Sequence, residues 1–115
     1  MNIDFLRKYC NSLPGVEEEI KWGNDLCFLV GGKMFCVTSL EGPFSATFKV
    51  TDEEFDELTG SGNFEPAPYL ARAKWVLATT STRLSKKEWE FYLSQSHKLI
   101  AAKLPIKTQK ALGLR

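Results

Sequence analysis

The sequence has little of what most catalytic and metal-binding sites require. Its 115 residues contain a single histidine, His97, and no C-x-x-C spacing. One histidine without a cysteine, serine or acidic pattern around it makes neither a catalytic triad nor a metal set. The glycines do not show a phosphate-binding spacing. We therefore expect no catalytic residue, no metal, no cofactor and no enzymatic activity.

Cysteine is also scarce, with only Cys10, Cys27 and Cys36. An odd number without paired spacing argues against the disulfide framework of a small secreted domain. We expect reduced, buried thiols that behave as small hydrophobic side chains.

Long hydrophobic runs are absent as well. No stretch of 18 apolar residues occurs, and no charged segment leads into an apolar one at the N-terminus. This pattern predicts no membrane span, no signal peptide and a cytoplasmic location. With 115 residues and a hydrophobic fraction of 43%, we expect one domain, residues 1–115, with one core.

The net charge of +1 hides an asymmetry between the two halves. Residues 1–65 contain five Lys/Arg and twelve Asp/Glu, whereas residues 66–115 contain ten Lys/Arg and two Asp/Glu. Such an imbalance indicates either an anionic partner for the basic half or mutual neutralisation of the halves across the folded surface.

The first half predicts a helix followed by a hairpin. Asn2 is a capping residue for apolar positions at helical spacing, and Pro14-Gly15 ends that helix. The acidic residues 17–19 are typical of solvated surface, and residues 20–23 are expected to be a short extended piece.

Residues 26–30 and 33–38 read as two strands joined by a two-residue turn, Gly31-Gly32. A strict register places these pairs opposite each other: Val30 and Lys33, Leu29 and Met34, Phe28 and Phe35, and Cys27 and Cys36. Both hairpin faces are apolar. One should meet helices, and the other is either covered by the chain itself or available to a partner.

The rest of the chain, from residue 44 onward, predicts two more strands and three more helical segments. Strands are expected at 44–50 and 74–79, and capping boxes open helices at Thr51 and Ser85. The helix from Ser85 is the longest and ends at Pro105, and the tail 106–114 is expected to form a short basic turn or helix. The predicted core aromatic residues are Phe35, Phe48, Phe55, Trp75, Trp89 and Tyr92. We expect Trp22 and Tyr69 to be core or seam residues rather than platforms for stacking.

Basic residues crowd a predicted strand–loop–helix unit in this half. They are Arg72, Lys74, Arg83, Lys86 and Lys87. A phosphate at the helix N-terminus would be favoured by the lysines and by the free backbone amides. We expect this unit to contact the backbone of a nucleic acid.

The chain resembles the MmcQ/YjbR family of small bacterial proteins. Residues 66–76, PAPYLARAKWV, are similar to the family signature P-x-x-[aromatic]-L-N-K-x-x-W-[hydrophobic]. Residues 84–100 are similar to its last helix, with His97 in place of a tyrosine, and residues 102–105 end in the same Leu-Pro. The N-terminal layout, with Trp22 after an acidic run, is also similar. Ala71-Arg72 replaces Asn-Lys, which retains the charge but not the amide.

The resemblance implies an α+β domain of α-β-β-β-α-β-β-α order, with an antiparallel sheet packed by helices and an outline similar to secretion chaperones. It also implies DNA binding through a proposed double-wing arrangement, and no enzymatic activity. We therefore expect a double-stranded DNA-binding protein that contacts phosphates through its basic half. The alternative is a protein-interaction or chaperone-like module, or a homodimer, that uses an apolar hairpin face.

Overall fold

The structure is a computed structural model that describes residues 1–114. Its helices are α1 (Ile3–Asn11), α2 (Asp52–Gly60), α3 (Lys86–Ala101) and α4 (Ile106–Ala111), with a 3-10 helix at Ala71–Ala73. Its strands are β1 (Val16–Lys21), β2 (Asp25–Val30), β3 (Lys33–Ser39), β4 (Ser45–Lys49), β5 (Glu65–Pro66) and β6 (Trp75–Thr79). No helix within these residues is long and apolar enough to cross a membrane.

The six strands form one antiparallel sheet in the order β1-β2-β3-β4-β6-β5. Helix α3 packs across β2, β3 and β4, and α1 packs against β1 and α3. The predicted α+β class, with an antiparallel sheet packed by helices, is confirmed. The structure adds one strand to the predicted order, because four strands rather than three precede α2.

The additional strand is β1, which contains the acidic residues 17–19. It begins at Val16, so the extended piece predicted at 20–23 was placed too late. Glu17 and Glu19 are exposed, whereas Glu18 turns toward α1 and accepts hydrogen bonds from Arg7 at 2.9 and 3.0 Å. The three glutamates are therefore part of an edge strand, and one of them, Glu18, is hydrogen-bonded to a residue of helix α1.

The hairpin of β2 and β3 has the predicted turn but not the predicted register. Val30 pairs with Lys33 and Leu29 with Met34, as expected. A bulge then shifts the ladder, so that Phe28 faces Cys36 and Cys27 faces Val37. The predicted pairs of Phe28 with Phe35 and Cys27 with Cys36 were wrong, because strict alternation does not allow for the extra residue of a bulge.

The core lies between the sheet and the helices, with Phe48 near its centre. The Phe48 ring lies 5.9 Å from those of Trp89 and Tyr92 and 6.1 Å from that of Phe64. Phe35, Phe48, Trp75 and Trp89 are buried as predicted, and Phe55 and Tyr92 pack against the core with partial exposure. Trp22 and Tyr69 are not core residues, since Trp22 is 71% exposed and Tyr69 is fully exposed.

Helix α3 is fixed at its start by the predicted capping box and at its middle by hydrogen bonds. Ser85 accepts from the Glu88 N–H, and Glu88 accepts from the Ser85 N–H. Ser96 is fully buried, donates to the Phe35 carbonyl at 2.6 Å and accepts from the Lys49 N–H at 2.9 Å. A serine hydroxyl thus joins β3 and β4 just beyond their last paired residues.

The three cysteines are buried, and none forms a disulfide. The neighbouring Cys10 thiol and complete burial together raise the pKa of Cys36 well above its ordinary value. Burial also raises the pKa of Cys27. Cys27 and Cys36 therefore remain protonated at neutral pH, which makes them poor nucleophiles.

Candidate binding surface

The five predicted basic residues do not form one patch. Arg72 and Lys74 lie just before β6, and Arg83, Lys86 and Lys87 lie after its end. The full length of β6 therefore separates the two groups. Each group instead has basic neighbours from distant parts of the chain, which the sequence alone did not indicate.

The first basic cluster consists of Lys49, Arg72, Lys74 and Lys103. The Lys49 ammonium donates to the Ala73 carbonyl, which places it beside the 3-10 helix. Burial lowers the pKa of Lys49, as does repulsion from Lys103 and from Lys74, while attraction to Asp52 raises it. A second anion near Lys49 would relieve this crowding of positive charge.

Within this cluster, Lys74 also has a structural role. It adopts a left-handed conformation with φ of 65°, and its ammonium lies 5.0 Å from the centre of the Phe55 ring. This contact holds the acidic helix α2 near the start of β6. Arg72, in contrast, is exposed.

The second basic cluster consists of Lys8, Arg83, Lys86 and Lys87. Lys86 reaches from the start of α3 to α1, where its ammonium lies 5.6 Å from the centre of the Phe5 ring. Lys8 and Lys86 line the same cleft, together with Glu90. Asn63 donates to the Arg83 carbonyl at 3.1 Å and accepts from its N–H at 2.8 Å, which fixes the backbone that presents this arginine.

Most of these cations have no close carboxylate. In residues 1–114, Arg7 with Glu18 is the one ion pair within 4 Å. In this part of the chain, the acidic half of the sequence therefore does not neutralise the basic half through direct ion pairs. Both clusters remain available to an external anion.

The open face of the sheet carries a groove of about 560 Å³, here called the aromatic groove. Trp22 and the connector Pro68–Leu70 contribute to its walls, and Met34 and Val37 line it from the sheet. Its polar lining consists of Asp25, Ser39, Ser45 and Thr47. A volume of this size is within the range of small-molecule sites, about 300–1,000 Å³.

Both aromatic residues of the groove have an unusual backbone conformation. Trp22 has a φ of 52° and Tyr69 a φ of 65°. The Leu70 N–H donates to the Ala67 carbonyl at 3.1 Å, so Pro68 and Tyr69 are the central residues of a β-turn. A positive φ at the second central position favours glycine or asparagine, and it is sterically unfavourable for tyrosine.

His97 contributes to the fold rather than to either cluster or to the groove. It is buried, its Nε2 lies 2.8 Å from the Pro14 carbonyl, and its ring packs edge-on against Phe35. Among residues 1–114, no three histidine, cysteine or acidic side chains are grouped as a metal site would require.

The sequence reasoning missed the aromatic groove and three lysines. Lys8, Lys49 and Lys103 come from segments that only the fold brings to the predicted residues. The sequence predicted core or seam positions for Trp22 and Tyr69 rather than stacking platforms, whereas the structure exposes both side chains. A turn signal was present in each case, since Gly23-Asn24 follows Trp22 and Pro68 precedes Tyr69.

The fold and the groove together define a single-domain α+β protein, with one face of the sheet packed by helices and the other bearing a binding-sized groove. The chain belongs to the YjbR family, whose model matches residues 11–99. Among curated proteins, none matches this chain.

The solved structures that are similar to this one include proteins from Deinococcus radiodurans and Pseudomonas syringae. The Deinococcus radiodurans protein DR2400, which has a DUF419 domain, is 27% identical with a TM-score of 0.88, over 99% of this chain and 89% of that chain. A Pseudomonas syringae protein is 18% identical with a TM-score of 0.67, over 86% of this chain and 98% of that chain. The second likeness concerns the fold alone.

Proposed function

We propose that this chain is a non-enzymatic DNA-binding protein that contacts phosphates through its two basic clusters. The observation that supports this most is the lack of ion pairing. In residues 1–114 the lysines and arginines of both clusters have no carboxylate within 4 Å, although the chain contains fourteen acidic residues. Unpaired cations can replace the counterions of a nucleic-acid backbone, which drives binding.

The positions of the clusters fit contacts along a backbone rather than at one point. They lie beyond opposite ends of β6, so they would meet phosphates several nucleotides apart. The crowding around Lys49 adds a local preference for an anion, because its pKa is lowered partly by Lys103 and Lys74. Phosphate contacts fix the position of a protein on DNA without reading its sequence.

Paired charge reversals test this proposal. Lys86→Glu with Lys87→Glu alters the second cluster, and Arg72→Glu with Lys103→Glu alters the first. Each double variant should weaken binding of labelled duplex and single-stranded DNA and reduce the dependence of log K on log salt by about 2, roughly one per lost phosphate contact. Fluorescence anisotropy at several salt concentrations measures both effects.

The matched control is Lys98→Glu with Lys110→Glu, two exposed lysines outside both clusters with the same change in net charge. It should retain most of the salt dependence. If the control weakens binding as much as the cluster variants do, net charge rather than these sites governs the interaction. Unchanged affinity in both cluster variants would contradict the site assignment.

A second candidate function is protein contact through the open sheet face. Met34 and Val37 are only half-buried on that face, in contrast to Phe28 and Phe35 on the side of the helices. Size-exclusion chromatography with light scattering tests the homodimer form of this candidate. A strict monomer at high concentration would count against it.

A further inference from the structure

We propose that the aromatic groove binds an unpaired nucleobase, so that the DNA partner is a single strand or a duplex with exposed bases. This inference rests on the proposed function for its phosphate contacts and adds the site that receives the base. The groove would stack the base on Trp22 or Tyr69 and contact its edge with polar groups at the sheet.

The two aromatic residues of the groove, Trp22 and Tyr69, adopt a costly backbone conformation. A bulky side chain at positive φ costs on the order of 1–2 kcal/mol. Burial of the side chain does not offset this free-energy cost at either residue, because Trp22 is 71% exposed and Tyr69 is fully exposed. Residues held in such conformations are concentrated at active sites and ligand clamps, where the surrounding structure bears the strain.

The lining of the groove offers both apolar and polar contacts. Met34 and Val37 offer an apolar floor for a flat ring, and the polarisable thioether of methionine favours aromatic contact. The hydroxyls of Ser39, Ser45 and Thr47 can donate or accept, and the Asp25 carboxylate accepts. A heteroaromatic ring with amino and carbonyl groups on its edge matches this set better than a purely apolar side chain does.

The groove lies beside the first basic cluster. Thr47 lines the groove, and Lys49, two residues on, lies on the same face of β4. Leu70 lines the groove, and Arg72 follows it by two residues. A strand with one base in the groove would therefore have its neighbouring phosphates near Lys49 and Arg72. This flanking positive charge favours a nucleic acid over an apolar protein segment.

The test uses Trp22→Asn and Tyr69→Asn in the full chain. Asparagine tolerates positive φ, so both variants should remain folded with a urea midpoint no lower than that of the wild type. Each should weaken single-stranded DNA binding by about tenfold while the salt dependence is retained, because stacking rather than phosphate contact is lost. The control is Phe91→Gln, which removes an exposed aromatic side chain of α3 outside the groove.

Tryptophan fluorescence gives a readout that does not depend on phosphates. Trp75 and Trp89 are buried, so quenching by free adenosine or guanosine should report mainly on Trp22 and should disappear in Trp22→Asn. If single-stranded DNA binds but both Asn variants bind it normally, the groove proposal is wrong and the proposed function stands.

If DNA does not bind at any salt concentration, the proposed function fails. Nucleoside quenching that depends on Trp22 would then still support a base site, and its absence would overturn that site. A dimer that dissociates in Trp22→Asn would assign the groove to a second copy of the chain and would also overturn the proposal.

Discussion

Ser96 shows how much of the fold can depend on one small side chain. Its hydroxyl joins the Phe35 carbonyl of β3 to the Lys49 N–H of β4, at a place where the strands themselves are no longer paired. Helical spacing places Ser96 on the same face of α3 as Trp89 and Leu93, but it does not indicate which backbone groups the hydroxyl joins. Only the register of the sheet, with its bulge at Phe35, creates the need for it.

We expect Ser96→Ala to lower the free energy of unfolding by about 2–4 kcal/mol, because it leaves a buried N–H and a buried carbonyl without partners. Urea denaturation followed by circular dichroism measures the change. Ser81→Ala, in an exposed turn, should cost less than about 0.5 kcal/mol. Equal losses in the two variants would contradict the bridging role.

The two glycines of the hairpin turn differ in how much space surrounds them. Gly31 and Gly32 both have positive φ, of 58° and 81°, which suits the two-residue hairpin turn predicted from the sequence. A Cβ on Gly31 would lie 2.6 Å from Leu104 Cδ1, whereas nothing lies within 4 Å of one on Gly32. The hairpin tip is therefore packed on one side only, against Leu104 in the segment that follows α3.

Gly32→Ala should cost about 1 kcal/mol from backbone strain. Gly31→Ala adds overpacking against a buried leucine and should cost about 2–4 kcal/mol in total. Thermal and urea unfolding of the two variants measure the difference directly. A similar cost for both would mean that Leu104 can move away without loss, and that the contact does not matter to the hairpin.

At the scale of elements, β1 and α1 are joined by the Arg7–Glu18 pair. Hydrogen bonds from Arg7, and then from Asn11, lower the pKa of Glu18 from its ordinary value of about 4.5. The lowered pKa means that the folded state prefers the charged carboxylate. Its contribution is therefore present above about pH 4.5 and is lost as the pH falls through the lowered value.

Glu18→Gln should reduce the free energy of unfolding by less than about 1 kcal/mol at neutral pH, because exposed pairs are screened by water. The difference from the wild type should shrink as the pH falls from about 5 toward 3, and it should also shrink at high salt. Urea titrations at several pH values test this. Glu17→Gln is the control, and a loss equal to that of Glu18→Gln would show that only net charge matters.

Helices and turns were predicted correctly from the sequence where the local signals were strong. The capping boxes at Thr51 and Ser85, the Gly31-Gly32 turn and the short helix in the tail all depend on residues close in sequence. Strand β1 was misjudged because three successive glutamates do not resemble a strand. As an edge strand, however, β1 benefits from charge, since Glu17 and Glu19 discourage pairing with another chain.

For the whole molecule, the class and family were predictable, but the surface was not. The distribution of charge along the sequence identified the basic residues. Their division into two clusters depends on the fold, because β6 lies between them. Lys8, Lys49 and Lys103 joined those clusters through the fold alone. The aromatic groove was hidden because hydrophobicity predicts burial, and Trp22 and Tyr69 instead lie at turns that expose them.

We propose that the basic clusters bind a nucleic-acid backbone and that the aromatic groove adds a preference for unpaired bases. The most direct measurement is fluorescence anisotropy of labelled random single-stranded and duplex DNA, titrated with the protein across about 50–200 mM salt. We predict binding that weakens steeply with salt and is tighter for the single strand. Failure to bind either DNA at low salt, or binding that does not respond to salt, would contradict the account.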